Sequence, residues 1–328
     1  MATTVNNAFS EFMKDIVNLD STQTEKARKS RDNLKNNIHD LGGTSSFFNL
    51  ASSNDLYFGS FSRKTKIREL DDIDMMIGLN GGDTTYHTQT WDNIKMTIND
   101  SDCQFADYRD SNGYISSTKI KNKFISELKK LRDYYKAELH SRGEAVTLDL
   151  LSYTWKFDIV PCFKCKNEDK YLIPNGQGHW KYTNPRIEQE RLSRINQKHN
   201  GYVLDTIRLI KYWNRRGKMP TMVSYVIETM VLDYFDSVST TSKWIEQRFR
   251  DVLLYIKNNI WNAIYDSKGI EGNINTLSYS EKLSLQSRAS NDYTTACNAI
   301  SAEINSNDQE KAINIWRNIF GGDFPHYG

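Results

Sequence analysis

The chain has 328 residues, enough for two packed lobes, and its 38% hydrophobic content with no run long enough to span a bilayer reads as a soluble globular protein. Lys and Arg total 43 against 41 Asp and Glu, a near balance that argues against a protein built to coat duplex nucleic acid. Residues 1–7 lack a basic start followed by an apolar core, so no secretory signal is read and a cytoplasmic location is expected.

Residues 4–40 read as helical in two pieces. Phe9, Phe12, Met13, Ile16 and Val17 recur at helical spacing, Asp20-Ser21 interrupts, and the remainder is rich in Lys, Arg and Asn with a thin stripe of Leu34, Ile38 and Leu41. Gly42-Gly43 ends it. The expectation is a long N-terminal helix spanning both lobes, its charges on a solvated face. Residues 57–79 then read as a strand, a turn carrying Gly59-Ser60, a loop, and a second strand carrying Asp72-Ile73-Asp74. Side chains alternate along a strand, so Asp72 and Asp74 share one face while Ile73, Met75 and Ile77 pack on the other. Two neighbouring carboxylates repel, and a divalent cation held between them relieves the repulsion; oxygen donors of this kind suit Mg²⁺ or Mn²⁺. The glycine lets backbone come close to a phosphate, and the turn's N–H groups and the Ser60 hydroxyl can hydrogen-bond its oxygens. A metal clamp beside a phosphate cradle points to chemistry on a nucleoside triphosphate.

Beyond Gly81-Gly82, residues 91–98 read as a short helix, 100–116 as polar turns, and 117–140 as a long helix with Ile120, Phe124, Leu128, Leu131 and Tyr135 inward. Strands follow at 145–151 and 153–163. In the second, Trp155, Phe157, Ile159 and Pro161 share one face and Lys156, Asp158 and Val160 the other. A lone Asp158 between Phe157 and Ile159 is costly to bury unless paired or metal-bound. Of the four cysteines, Cys103, Cys162, Cys165 and Cys297, the second and third form a C-x-x-C; with His179 as the one further candidate ligand, that pair reads as reduced thiols packed near a strand end. A short strand at 171–174 and a loop lead to a helix at 186–199, capped by Asn184 with Pro185 in its first turn. The composition changes near 180, so the division is 1–180 and 181–328.

The rest reads as helices. Residues 201–216 are amphipathic, with Lys211 next to Ile210; by itself that lysine reads as exposed, its stem lying along the helix. Ser224-Tyr225 opens an apolar helix, where free N–H groups favour anions. Further helices at 241–265 and 281–320 carry Trp244, Phe249, Leu253, Ile256, Ile260, Trp261, Ile313, Trp316 and Phe320 as packing residues.

Gly59-Ser60, an eleven-residue gap and Asp72-Ile73-Asp74-Met75 resemble the signature of the DNA polymerase β-type nucleotidyltransferase superfamily, and G-S-F-S-R-K-T-K-I resembles the bacterial cGAS/DncV-like cyclic-oligonucleotide synthases, the CD-NTases. The resemblance runs by motif over roughly residues 40–235. It implies an α+β bilobal fold: a mixed-sheet nucleotidyltransferase lobe with flanking helices, then a helical nucleotide-binding lobe. It makes Asp158 the third acid with Asp72 and Asp74, around two Mg²⁺ ions (Mn²⁺ as the substitute). It gives Gly59, Ser60, Lys211 and Ser224 to the triphosphate and Tyr225 to a base. The implied reaction uses ATP, GTP or other NTPs without a template, releases pyrophosphate and closes a cyclic di- or trinucleotide that a separate effector reads in anti-phage defence. It also raises Gly328 as a target of an E1/E2-like transferase. A linear nucleotidyltransferase, of oligoadenylate-synthase, RNA-tailing or protein-modifying type, shares all three acids. A catalytically silent binding module on the same fold is the reading from another class, and NTP turnover separates it.

Overall fold

The computed structural model describes residues 2–99, 103–216 and 220–328. Helix α1 (Val5–Phe12) continues through one π-helical turn, Met13–Val17, and stops where Asn18 takes an extended backbone (φ −77°, ψ 148°). Helix α2 (Ser21–Leu41) starts afresh. The expected single N-terminal helix is therefore two. They also belong to different compact units: residues 2–20, 65–69 and 188–328 form a helical unit, and residues 21–64 and 70–187 a sheet unit. This departs from a division at 180 in which residues 1–20 belong to the catalytic lobe. The reason is apolar burial: Phe9 packs edge-on to Trp316 (centroids 4.9 Å apart), and Phe12 to Tyr212 (5.0 Å) and Phe324 (5.1 Å).

In the sheet unit, β1 (Leu56–Phe58) leads into a single helical turn, α3 (Gly59–Ser62), and then β2 (Asp72–Gly78). β3 (Thr84–Thr90) and β4 (Asn93–Ile98) form a hairpin. The helix expected at 91–98 is thus a strand. The period is two, with Ile94 and Met96 buried and Lys95 and Thr97 less so. Helix α4 (Ser117–Leu128) is capped by the Ser116 hydroxyl, which accepts from Lys119 N. It ends twelve residues before the expected 140. Tyr135, expected inward, is 60% exposed, whereas Tyr134 is buried, with its hydroxyl accepting from Asn37 Nδ2 at 2.8 Å. The chain then adds β5 (Glu138–Arg142), β6 (Ala145–Asp149), β7 (Lys156–Lys164), β8 (Tyr171–Pro174) and β9 (Trp180–Thr183). The order is β1-β2-β7-β8-β9-β4-β3, with β6 also on β7 and β5 on β6. Only β2 and β7 run parallel among the pairs described. Cys162 and Cys165 are buried free thiols.

The helical unit holds most of α5 (Pro185–Lys198), then α6 (Tyr202–Arg215), α7 (Ser224–Ser237), α8 (Ile245–Asn259), α9 (Tyr279–Ile304) and α10 (Gln309–Phe320). Its core joins Trp213, Phe249, Leu253, Ile256, Trp316 and Phe320 to α1. Trp244 and Trp261, read as packing, lie at the ends of α8 and are 39% and 37% exposed. No helix among the described residues is long and apolar enough to cross a membrane.

One core group titrates. Glu246, in the first turn of α8, is 4% exposed, and its Oε2 has no hydrogen-bond partner among the described residues. Burial, with Glu303 nearby, pushes its carboxyl up to about 7. The native state then binds more protons than the unfolded chain from the ordinary Glu range up to that value, so stability falls as pH rises through this window and levels off above it. The loss is on the order of 3 kcal/mol. Glu246→Gln should flatten the slope of Tm between pH 5 and 8 and raise Tm at pH 8; equal slopes in variant and parent would contradict it.

Candidate active site

The site is built on β2 and β7. Their parallel register sets Asp72 beside Lys156, Asp74 beside Asp158 and Met76 beside Val160. Residues paired across neighbouring strands point to the same face, so Asp72, Asp74 and Asp158 share one face of the sheet. Ile73, Met75 and Ile77 face the other side and are buried, as are Phe157 and Ile159. One step past the acids the same face turns apolar: Met76 and Val160 join Cys162, Tyr171 and Ile173 in a small core that anchors both strands.

β6 lies on the other flank of β7, with Thr147 paired to Asp158, and the Thr147 hydroxyl donates to Asp158 Oδ1 at 2.7 Å. Burial raises the Asp158 pKa; the Thr147 bond opposes this and the neighbouring Asp72 charge adds to it. Thr147 is a site residue the sequence did not reveal, because only the pairing of β6 with β7 brings it there.

Gly59 closes the site from the β1 side. Phe58 pairs with Asp74, and Gly59 follows with φ +71°. A Cβ on Gly59 would stand 1.7 Å from Asp74 Oδ2 and 2.5 Å from its Cγ, so only glycine lets that carboxylate lie against the turn. Ser60 is next, in the first turn of α3, half-buried.

The donor set fits Mg²⁺ or Mn²⁺. All three candidate ligands are hard carboxylates, and Asp158 is a half-buried acid whose charged form a cation would favour. Among the described residues no three His, Cys, Asp or Glu side chains are already gathered as a metal cage, these three included.

The helical unit holds the other expected residues. Lys211 on α6 is not the exposed lysine its flanks suggest: it is 4% exposed and donates to Glu228 Oε1 of α7 at 2.8 Å. Thr65 donates to Glu228 Oε2 at 3.1 Å and is itself buried. Nothing in sequence order ties Glu228 to Lys211. Ser224 is the exposed first residue of α7, and Tyr225 beside it is half-buried. The Tyr225 hydroxyl donates to Asp266 Oδ1 at 2.5 Å.

No family model matches the sequence. The chain is 40% identical to a probable cyclic nucleotide synthase of Bacillus cereus strain VD146, with 100% of this chain and 99% of that protein covered. The CdnC protein of Escherichia coli MS115-1, solved in complex with HORMA-deltaN, superposes with a TM-score of 0.69 at 16% identity, covering 98% of each chain. DncV of Vibrio cholerae, a cyclic AMP-GMP synthase, does so with a TM-score of 0.58 at 12% identity, covering 83% of this chain and 70% of that one. These two share the fold. The acid-bearing parallel pair, the glycine packed against Asp74 and the full-length likeness agree, and the chain belongs to the cyclic nucleotide synthases of the CD-NTase family, within the polymerase β-type nucleotidyltransferases.

Proposed function

We propose that this chain joins nucleoside triphosphates without a template, releasing pyrophosphate and closing a cyclic di- or trinucleotide that a separate effector reads in anti-phage defence. The observation carrying this reading is the register of Asp158 beside Asp74, on the face that Asp72 shares. In the proposed step a ribose hydroxyl of one nucleotide attacks the α-phosphorus of another. The new P–O bond forms as the bond to the bridging β-oxygen breaks, and pyrophosphate leaves. Asp158, its Oδ1 fixed by Thr147, takes the hydroxyl proton. Asp72, Asp74 and Asp158 would hold Mg²⁺, which supplies positive charge to the entering and leaving oxygens. Gly59 and Ser60 bind phosphate oxygens from the turn. In the helical unit, Lys211 and Ser224 bind the triphosphate tail and Tyr225 stacks on a base.

The test is to incubate the protein with ATP, GTP, CTP and UTP and Mg²⁺, then treat with phosphatase and weigh the products. Phosphatase-resistant rings with matching pyrophosphate are expected. A product that phosphatase degrades would make the enzyme a linear nucleotidyltransferase. Absence of both product and pyrophosphate would overturn the proposal.

A further inference from the structure

Tyr225 is held in the helical unit by a charged cluster that the nucleotidyl-transfer chemistry leaves without a role. Its hydroxyl, besides the bond to Asp266, lies 3.2 Å from Ser267 Oγ. The Lys268 ammonium sits 4.4 Å from the Tyr225 ring centroid, in cation–π geometry. That ammonium is itself buried, its side chain 8% exposed, among three carboxylates: Glu188 at 3.1 Å, Asp266 at 3.4 Å and Glu271 at 3.1 Å. Asp266 is fixed in turn by its own loop. Its Oδ1 accepts from Lys268 N at 3.0 Å, and its Oδ2 from Ile270 N at 3.1 Å and Glu271 N at 3.0 Å.

One ammonium against three carboxylates leaves the cluster net negative, so it repels phosphate and cannot serve the triphosphate tail. What it does is immobilise an aromatic ring. The hydroxyl is tethered at one end, and the ammonium lies over one face. A base therefore has at most one face of the ring to stack on. Burial disfavours the Lys268 charge, but Glu188, Tyr225, Glu271 and Asp266 outweigh it and raise the pKa, so the ammonium stays charged.

We infer that Lys268 and Asp266 are positioning residues that clamp Tyr225 as a platform for one nucleobase, stacked from one side only. This rests on the reading above that Tyr225 stacks on a base. A ring whose rotation is already frozen binds without the entropy of ordering it, so freeing it weakens base binding and leaves phosphate binding alone.

The experiment measures binding, in Mg²⁺, of the α,β-methylene analogues of ATP and GTP and of inorganic tripolyphosphate to the full chain and to Tyr225→Phe, Lys268→Met and Tyr225→Ala. Tyr225→Phe, which keeps the ring and loses the tether, should bind the better nucleotide analogue about 3- to 10-fold more weakly, with tripolyphosphate unchanged. Folded Lys268→Met should do the same; if it fails to fold, Tyr225→Phe decides. Parent-like nucleotide binding by Tyr225→Phe, or equal losses for tripolyphosphate, would overturn the inference. Should Tyr225→Ala also bind nucleotide like the parent, the base-stacking reading falls with it. A loss in Tyr225→Ala alone would leave that reading standing and remove only the clamp.

Discussion

Asp158→Asn should cut nucleotidyl-transfer activity by at least about 10³-fold while leaving the metal-free protein as stable as the parent or more so. The two halves of this expectation have one cause. Asp158 is half-buried on β7, directly beside Asp74, with burial and the Asp72 charge both raising its pKa. An acid whose folded pKa lies above its unfolded value costs stability once it ionises, at pH above the ordinary Asp range. The asparagine keeps an oxygen for the Thr147 hydroxyl and removes the charge. In the proposed reaction the same charge would hold the cation and take the proton, so activity goes with it. Product yield and Tm of the metal-free protein, both at pH 8, check it. A variant that is inactive but clearly less stable would mean Asp158 is structural.

Glu228→Ala should destabilise the protein by about 3–5 kcal/mol. It strips a buried carboxylate from the buried Lys211 ammonium and from the Thr65 hydroxyl. Removing one member of a buried ion pair leaves the other to bear its desolvation, whereas replacing both with apolar residues is often neutral. Lys211→Met with Glu228→Leu should therefore recover most of the lost stability. If Lys211 binds the triphosphate tail, the recovered protein should still bind NTPs weakly. Chemical denaturation of the parent and the two variants reads the first part. A Glu228→Ala loss below about 1 kcal/mol would contradict the account, because it would make the pair a surface-type salt bridge.

What could be read from sequence follows the range of the forces involved. Short-period patterns were visible: the alternation that puts Asp72 and Asp74 on one face, the flanks of Asp158, α6 near its observed limits and the start of α7 at Ser224. The pattern at 93–98 was equally periodic, but its Asn93 and Lys95 face partly to solvent and the run was too short to outweigh a helical reading. Partnerships between strands distant in sequence were not visible. Thr147 meets Asp158 because β6 and β7 pair, and Glu228 meets Lys211 because α6 and α7 pack. The membership of α1 in the helical unit is of the same kind. Phe9 and Phe12 mark an apolar face, but only the packed Trp316, Phe320 and Phe324 say what covers it.

Manganese titration followed by electron paramagnetic resonance, with the α,β-methylene analogue of ATP present, tests the three aspartates most directly. The parent should bind Mn²⁺ in the micromolar range, and Asp74→Asn and Asp158→Asn should each lose that binding while remaining folded. Parent-like Mn²⁺ affinity in both variants would contradict the assignment of the cation to this face of the sheet.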